Sequence, residues 1–514
     1  MSAPPAATFW ALVEKRAAAT PDAVLLVDDD GHTMTCAGYR EAVLRAAAGL
    51  HAEGARPGNT LAWQLPSWIG AMVLMGACAR LGVPQMPVLP IHRDRELRLL
   101  LGAAQARLWC LPSSWRGTDY AALADRVRGR VPRVRTLFCD RALPQGDPRT
   151  LPPAPGSAEH MRWLFPTSGT TGDPKIAVHT DATLIAGAVA LCDSQGFRPS
   201  DRYGIAFPVT HIGGATNLAA ALHRGFSLAL VEAFEPARTA ATFRRLGVTI
   251  AGGGPAFYTG FLAAQRRTPG RLILPVLRFM TGGGAPMPPE LHVQVRDEIG
   301  GAGCAHGYGM TESCIVAMNR PDDTDEHLMH TVGRPCGGIE VRATGTGGTQ
   351  NDGEVHIRGA AVFLGYLGES TPALDADGWF ATGDLGRIDD DGHLRITGRI
   401  KDIIIRKGEN IHAGELEQVL REHPAVADAA VIGLPDAERG ELVCAVLVTE
   451  PGRTVDAAAI TAHCAAAGLM RQKFPEQVIT VAELPRNSAG KTRKDDLRRR
   501  YSAAPAAIGA TDAR

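Results

Sequence analysis

The strongest chemical signal in the sequence is a run of glycine, threonine and serine that ends in a lysine, at residues 165–175 (FPTSGTTGDPK). Glycine lets several backbone N–H groups converge on one phosphate, hydroxyl side chains add donors, and the lysine neutralises charge. The spacing is not that of a Walker A loop. A polar loop of turn formers is the alternative, but the string is too unusual for it to be preferred. The residues expected to hold phosphate are Thr167, Ser168, Gly169, Thr170, Thr171, Gly172 and Lys175.

Four further motifs follow along the chain. They occupy residues 307–312 (GYGMTE), 378–384 (GWFATGD), 398–410 (GRIKDIIIRKGEN) and 485–491 (PRNSAGK). With the phosphate loop, they resemble the ordered motifs of the adenylate-forming enzymes, which include acyl-CoA synthetases, peptide-synthetase adenylation domains and firefly-type luciferases. One motif can arise by chance, but five in register over nearly the whole chain hardly can. The resemblance implies an enzyme of the acyl-CoA synthetase branch, which converts a carboxylic acid and ATP to an acyl-adenylate and then to a coenzyme A thioester.

The resemblance also implies which residues carry the first reaction. Both reactants are anionic, so catalysis must come mainly from positioning and charge stabilisation. Lys491 is expected to bridge the substrate carboxylate and the α-phosphate, and Glu312 to ligate Mg²⁺ with the Thr170 hydroxyl nearby, since that ion prefers oxygen ligands. Composition alone would make Lys491 a surface residue of a basic tail, and Glu312 a carboxylate at a helix N-terminus.

The nucleoside is expected to lie against three other segments. Asp384 can accept hydrogen bonds from both ribose hydroxyls, and Arg399 can donate to the same sugar. Tyr308 offers a ring for stacking on adenine. Ordinary turns are the alternative for Asp384 and for the glycines at 282–284. The remaining residues expected to contact ATP or AMP are Gly282, Gly283, Gly284, Gly307, Gly309, Met310 and Thr311.

Contacts to the acid and to coenzyme A are inferred from the same resemblance. His211 falls where the family often has an aromatic residue or a histidine beside the acyl carboxylate, although a lone histidine is more often structural. Arg471, Lys473 and the backbone near Gly408 are expected to contact coenzyme A, with ordinary solvated basic side chains as the alternative. Lys401 lies where the family has its hinge residue.

Three classes of function compete. The first is a coenzyme A ligase, favoured because 440–441 and 470–475 look like the synthetase branch. The second is a stand-alone adenylation protein that loads a carrier protein; no carrier-like domain follows residue 500, so the carrier would act in trans. The third is a luciferase-like oxidative enzyme or a non-catalytic binder.

The acid itself is predicted from small residues. The acyl pocket is expected along 208–214, 251–258 and 282–315, where glycine runs suggest room for a bulky or long apolar acid. Glycines also serve turns.

One position departs from the family pattern. Where the family usually has glycine after the phosphate-loop lysine, this chain has Ile176. A β-branched residue disfavours positive φ, and this could tilt Lys175 away from the phosphates. The enzyme would then carry out only thioester formation from a supplied acyl-adenylate. The alternative, which is preferred, is that the strand simply tolerates isoleucine.

Bulk composition argues weakly against two classes of partner. The chain has 514 residues, with Lys+Arg and Asp+Glu both 54, so its net charge of zero argues against nucleic acid or an anionic membrane as partner. The ten cysteines have no metal-site spacing and are expected to be reduced. The N-terminus does not resemble a signal peptide, so a soluble, cytoplasmic enzyme is expected, and a homo-oligomer is allowed.

The elements that must position these residues alternate between strands and helices. This alternation predicts an α/β fold with parallel sheets covered on both faces. An almost wholly apolar helix is expected at 68–81, and helices at 415–420 and 457–467 after a change of pattern near residue 400. We predict a large N-terminal domain (1–399) of parallel and mixed sheets plus a small barrel-like sheet, a hinge (400–402), a mobile α+β C-terminal domain (403–500) and a disordered tail (501–514).

Overall fold

The structure is a computed structural model, and it describes residues 8–167, 175–347, 352–406, 409–436, 440–467, 469, 471–487 and 490–502. The chain divides into two compact units. The first comprises Met1–Val341 and Ile357–Phe380, and the second Arg342–His356 and Ala381–Arg514. Residues 342–356 and 381–399, expected in the first domain, therefore belong with the second unit in this division. A hinge is a statement about motion, so the hinge at 400–402 stays a prediction. The backbone of Ile400–Asp402 forms a short 3₁₀ turn.

The helices of the first unit are α1 (Phe9–Ala19), α2 (Cys36–Ala52), α3 (Ile69–Leu81), α4 (Asp94–Ala103), α5 (Tyr120–Arg128), α6 (Asp181–Gln195), α7 (Ile212–Arg224), α8 (Pro236–Leu246), α9 (Pro255–Arg266), α10 (Pro289–Glu298) and α11 (Asp325–His330). Its strands up to residue 335 are β1 (Val24–Val27), β2 (Thr33–Thr35), β3 (Leu61–Trp63), β4 (Gln85–Pro87), β5 (Leu108–Leu111), β6 (Ser114–Trp115), β7 (Thr118–Asp119), β8 (Arg135–Phe138), β9 (Met161–Thr167), β10 (Lys175–Thr180), β11 (Arg202–Ile205), β12 (Ser227–Leu230), β13 (Ile250–Gly253), β14 (Phe279–Gly282), β15 (Cys304–Met310), β16 (Ser313–Met318) and β17 (Arg334–Pro335).

The remaining strands are β18 (Ile339–Gly347), β19 (Asp352–Gly359), β20 (Gly365–Tyr366), β21 (Phe380–Ile388), β22 (Leu394–Arg399), β23 (Ile403–Arg406), β24 (Glu409–His412), β25 (Val426–Asp436), β26 (Gly440–Thr449) and β27 (Gln477–Thr480). The helices of the second unit are α12 (Ala413–Arg421), α13 (Ala457–Ala466) and α14 (Lys494–Ser502).

Two large sheets organise the first unit. A nine-stranded sheet has the order β17-β16-β15-β14-β13-β11-β12-β1-β2, and a seven-stranded sheet the order β20-β10-β9-β4-β3-β5-β8. The central strands are parallel, whereas β9 with β10 and β15 with β16 are antiparallel hairpins. When strands alternate with helices along the chain, the helices cover both faces of the sheet. The observed order of strands and helices confirms the predicted α/β class.

The helix predicted at 68–81 is confirmed as α3. Every residue from Ala71 to Leu81 is buried, as expected of a helix that is apolar all round and lies inside a large core. The helix ends at Gly82, whose φ of +68° suits a residue without a Cβ. Within the described residues no helix is both long enough and apolar enough to cross a membrane.

The second unit contains two smaller sheets. One has the order β18-β19-β21-β22, and the other the order β24-β23-β26-β25, with β27 beside β26. Helix α12 packs Leu416 and Leu420 into the core of the second sheet, and α13 adds Ile460 and Cys464. Both helices lie where the sequence predicts them, and the small C-terminal domain is confirmed as α+β.

Candidate active site

The two ends of the phosphate motif lie on neighbouring antiparallel strands, β9 and β10. Thr167, the last residue of β9, lies opposite Lys175, the first residue of β10. Among the predicted phosphate contacts, Ser168, Gly169, Thr170, Thr171 and Gly172 lie outside the described residues. Because a hairpin fixes its two ends, Thr167 and Lys175 frame the segment between them.

Lys175 has two partners within the first unit. Its ammonium nitrogen lies 2.8 Å from a carboxylate oxygen of Glu369 and 4.6 Å from the centroid of the Tyr366 ring. An ammonium over an aromatic face is attracted by the quadrupole of the ring. The cation expected to meet phosphate is therefore held between an acidic and an aromatic side chain.

Glu312 lies in the turn between β15 and β16. The Tyr366 hydroxyl donates a hydrogen bond of 2.6 Å to Glu312 Oε1. The backbone N–H of Phe363 donates to the Glu312 carbonyl at 2.8 Å, so the turn is fixed through both its backbone and its side chain. Tyr366 thus contacts both the predicted metal ligand and the predicted phosphate lysine.

The glycines of the adenine motif serve close packing. A Cβ on Gly307 would lie 2.0 Å from Met318 Sδ, and one on Gly309 would lie 1.9 Å from the Cys314 carbonyl oxygen. Any larger residue at either position would push β15 away from β16. Tyr308, between them, pairs with Ala317 in the hairpin, and Met310 pairs with Ser313.

A buried histidine joins the phosphate strand to the adenine motif. His179, on β10, contacts the Thr311 carbonyl through Nε2 at 2.8 Å and Thr183 Oγ1 through Nδ1 at 3.0 Å. Burial lowers the pKa of His179 to about 4, so the ring is neutral at physiological pH. His179 therefore ties β10 to the turn that carries Glu312.

The glycine runs at 252–254 and 282–284 lie mostly where neighbouring atoms already occupy the space that a side chain would need. A Cβ on Gly252 would lie 2.1 Å from the Tyr203 hydroxyl, and one on Gly282 would lie 1.3 Å from the Gly253 carbonyl oxygen. One on Gly283 would lie 2.6 Å from the Gly307 carbonyl oxygen, whereas one on Gly284 (φ +91°) would meet nothing within 4 Å. Apart from Gly284, these glycines allow close backbone approach, so they carry no information about the volume of the acyl pocket.

His211 is the N-cap residue of α7, after the carboxyl end of β11. Burial, with a smaller contribution from the nearby His92, lowers the pKa of His211 to about 4. Its Nε2 is buried and, among the described residues, meets no hydrogen-bond partner. A hydrogen bond from Val209 N–H to Ser67 Oγ, at 3.2 Å, joins this loop to the loop after β3. A neutral histidine thus lies on a loop that is hydrogen-bonded to a loop of the other large sheet.

The predicted ribose residues lie side by side in the second unit. Asp384 on β21 and Arg399 on β22 are direct antiparallel partners. Their side chains form an ion pair through Arg399 Nε and Asp384 Oδ1, and Asp384 is 3% exposed. The two residues expected to contact one sugar are thereby brought together by strand register.

The remaining predicted residues that the structure describes lie outside the strands of the second unit. The backbone N–H of Lys491 donates to Asn487 Oδ1 at 2.9 Å, which closes a short loop around Gly490. Lys473 pairs with Glu415 at 2.6 Å, while Arg471 is exposed in a 3₁₀ turn. Gly408 lies outside the described residues, and so does the side chain of Lys401.

Sequence reasoning missed Tyr366, Glu369 and His179. Tyr366 lies 54 residues from Glu312 along the chain, and no spacing pattern connects them. A tyrosine between two glycines (365–368, GYLG) was the available signal, and it is typical of a turn as much as of a site.

Comparison with known proteins decides the family. The model of the AMP-binding enzyme family matches residues 13–367, and the model of the AMP-binding enzyme C-terminal domain matches 415–491. The chain belongs to the AMP-binding enzyme family. The predicted membership among the adenylate-forming enzymes, and in their acyl-CoA synthetase branch, is confirmed. As an AMP-binding enzyme, the chain is expected to use ATP or AMP, an acid and coenzyme A.

Three similar proteins illustrate the branch. The medium-chain fatty-acid–CoA ligase of Escherichia coli (strain K12) is 30% identical, over 96% of this chain and 90% of that protein. The 3-[(3aS,4S,7aS)-7a-methyl-1,5-dioxo-octahydro-1H-inden-4-yl]propanoyl:CoA ligase of Mycobacterium tuberculosis (strain ATCC 25618 / H37Rv) is 31% identical, over 96% and 98%. The crystal structure of ATP-bound MatB from Rhodopseudomonas palustris has a TM-score of 0.86 at 27% identity, over 97% and 99% of the two chains.

Ile176, the departure from the family pattern, lies in regular structure. It pairs with Pro166 in the hairpin, is 3% exposed, and packs in a cluster with Leu164 and Val178. It is not among the described non-glycine residues with positive φ. The backbone at this position thus has no need of glycine, which favours the interpretation that the strand tolerates isoleucine.

Replacing Ile176 with glycine should therefore lower stability without improving adenylation. Removing a buried isoleucine side chain costs about 2–5 kcal/mol, and glycine in a strand about 0.5–1 kcal/mol more. Ile176→Val, which keeps most of the packing, is the matched control. The melting temperature and acid-dependent pyrophosphate release check both points, and faster release by the glycine variant would contradict this account.

Proposed function

We propose that this protein is an acyl-CoA ligase that works in two half-reactions. In the first, a carboxylate oxygen attacks the α-phosphorus of ATP, the bond to the bridging oxygen breaks, and pyrophosphate leaves. In the second, the sulfur of coenzyme A attacks the acyl carbonyl carbon, its proton is lost, and AMP leaves. The supporting observation is the meeting of Lys175 and Glu312 on Tyr366, in a chain whose relatives are coenzyme A ligases.

The roles of individual residues follow from charge. Lys175 and the hairpin turn would bind the β- and γ-phosphates, and Asp384 with Arg399 the ribose. Lys491 would stabilise the charge that develops between the attacking carboxylate and the α-phosphate. His211, neutral and with a buried ring nitrogen, would orient the acid by a hydrogen bond. These assignments come from the motifs, and the geometry above supports them.

Magnesium is part of the proposal. The Glu312 carboxylate is a hard oxygen ligand, half-buried and oriented by Tyr366, so it fits a divalent cation. When bound, the ion would neutralise phosphate charge during transfer. Thr170, the second proposed ligand, lies outside the described residues.

Coenzyme A is proposed to reach the site through the second unit. Arg471 is exposed and suited to a phosphate of the cofactor, whereas the ammonium of Lys473 already pairs with Glu415. Gly408 and the hinge residue Lys401 are proposed to serve the change between the two half-reactions. A small mobile domain that rotates about 400–402 would bring first Lys491 and then the Gly408 segment to the nucleotide.

The acid is proposed to be bulky or long and mainly apolar. The support comes from the relatives, which are named for a medium-chain fatty acid and for a fused-ring propanoate. The glycine runs do not contribute to this proposal, because neighbouring atoms occupy most of the space beside them. We also propose a cytoplasmic location, since all ten cysteines are free and nine are buried.

The test is to incubate the protein with ATP, Mg²⁺ and a panel of aliphatic and ring-containing acids, adding either coenzyme A or an acyl carrier protein. A coenzyme A ligase forms AMP, pyrophosphate and acyl-CoA in equal amounts, with one acid class preferred. Acylated carrier without acyl-CoA would favour the carrier-loading alternative. Thioester formation only from synthetic acyl-adenylate would favour the thioesterification-only alternative. Size-exclusion chromatography with light scattering on the same preparation would measure the oligomeric state.

A further inference from the structure

Tyr366 lies on a short strand that connects two parts of the proposed site. Strand β20 pairs with β10, placing Tyr366 opposite Ala177, and the Leu367 N–H donates to the Ile176 carbonyl at 2.8 Å. Just before β20, Phe363 is hydrogen-bonded to the Glu312 carbonyl. The segment is thus fixed both to the strand that begins with Lys175 and to the turn that carries Glu312.

The hydroxyl of Tyr366 acts as a hydrogen-bond donor to Glu312. A phenol is ordinarily protonated at neutral pH, so this hydroxyl can donate its hydrogen to a carboxylate oxygen. A protonated phenol at 2.6 Å from a carboxylate oxygen restricts rotation of the carboxyl group. One oxygen of Glu312 is engaged in this way, and the group is oriented before any ligand arrives.

The ring of Tyr366 is also a platform for Lys175. The ammonium lies 4.6 Å from the ring centroid, and Glu369, three residues after Tyr366, pairs with it at 2.8 Å. The Phe363 ring packs edge-on against Tyr366, with centroids 4.9 Å apart. Packing and the strand pairing together leave the tyrosine little freedom to turn away.

We propose that Tyr366 is a positioning residue of the adenylation half-reaction, orienting the Glu312 carboxylate for the divalent cation through its hydroxyl and the Lys175 ammonium for phosphate through its ring. The inference rests on the proposed function. One side chain sets the relative placement of the metal ligand and the phosphate lysine. Glu369 is the counter-ion of Lys175 until the phosphates of ATP take its place.

The experiment separates the hydroxyl from the ring. Tyr366→Phe keeps the platform for Lys175 and removes the donor to Glu312. Tyr120→Phe is the matched control, because it removes another buried tyrosine hydroxyl, which donates to the Pro90 carbonyl at 2.8 Å in the first unit. Binding of Mn²⁺ to the enzyme with ATP, followed by electron paramagnetic resonance, measures metal affinity without any turnover.

We expect Tyr366→Phe to weaken Mn²⁺ affinity by about 10–100-fold, the range found when a partner of a metal-binding side chain is lost. Metal-free ATP binding and thioester formation from synthetic acyl-adenylate should stay unchanged, as should every property of Tyr120→Phe. Unchanged Mn²⁺ affinity would overturn the proposal, and so would a parallel loss of metal-free ATP binding, which marks a merely structural role. If the wild type binds Mn²⁺–ATP but makes no acyl-CoA, the proposed function fails while this comparison still stands.

Discussion

Replacing Lys491 with alanine should slow adenylate formation by about 10²–10³-fold, the loss seen when one group that stabilises transition-state charge is removed. The attacking carboxylate and the α-phosphate are both anionic, and a single ammonium between them offsets their repulsion as they approach. Acid-dependent pyrophosphate release measures the rate, and calorimetry with ATP measures affinity. Affinity should change little, because the proposed role of Lys491 belongs to the transition state.

The structure offers a control beside Lys491. Arg493, two residues on, has a half-exposed side chain that pairs with Asp496 at 2.8 Å. Arg493→Ala removes a cation from the same basic segment, and it should leave pyrophosphate release unchanged. Thioester formation from synthetic acyl-adenylate should survive in both variants, since adenylation is already complete. Equal losses in the two variants would mean that Lys491 is an ordinary residue of a basic tail.

Asp384→Asn should weaken the binding of ATP and of AMP by the same factor, about 10-fold or more. A hydrogen bond to a charged group contributes about 1.5–3 kcal/mol, and the ribose is common to both nucleotides. The substitution keeps the shape of the side chain. It removes the charge that pairs with Arg399, so the melting temperature must be followed alongside nucleotide affinity.

Two comparisons distinguish loss of the ribose contact from a general loss of protein stability. Asp352→Asn removes a carboxylate that pairs with Arg387 at 2.9 Å on the same sheet, and it should leave nucleotide affinity intact. An ATP analogue without the 2′- and 3′-hydroxyls should bind wild type and Asp384→Asn equally well. If the analogue loses as much affinity as ATP on substitution, Asp384 does not contact the sugar.

Much of the fold could be predicted because it depends on local pattern. The apolar run of α3 and the periodic apolar stripe of α12 determine those helices with little help from distant contacts. The adenine motif lies at the turn of one hairpin, in which neighbouring residues in sequence are neighbours in space. The local sequence is enough to determine the geometry of such a motif.

The contacts that could not be predicted depend on strand register and long-range packing. Asp384 and Arg399 were each assigned to a sugar, but their mutual pairing follows from the register of β21 and β22, which their sequence does not specify. Tyr366 and Glu369 reach the site only because β20 adds to the edge of a sheet beside β10. Similarly, the glycines at 252–254 suggest empty volume, whereas neighbouring backbone and aromatic atoms occupy that space.

The most direct test of the two-step account is a rapid-quench experiment with the preferred acid, in which acyl-AMP is measured by mass spectrometry. With ATP and Mg²⁺ but no coenzyme A, the account predicts a burst of one acyl-AMP and one pyrophosphate per active site. Adding coenzyme A should convert that bound acyl-AMP to acyl-CoA and AMP without further ATP. Formation of acyl-CoA with no acyl-AMP, or release of ADP and phosphate in place of AMP and pyrophosphate, would contradict the account.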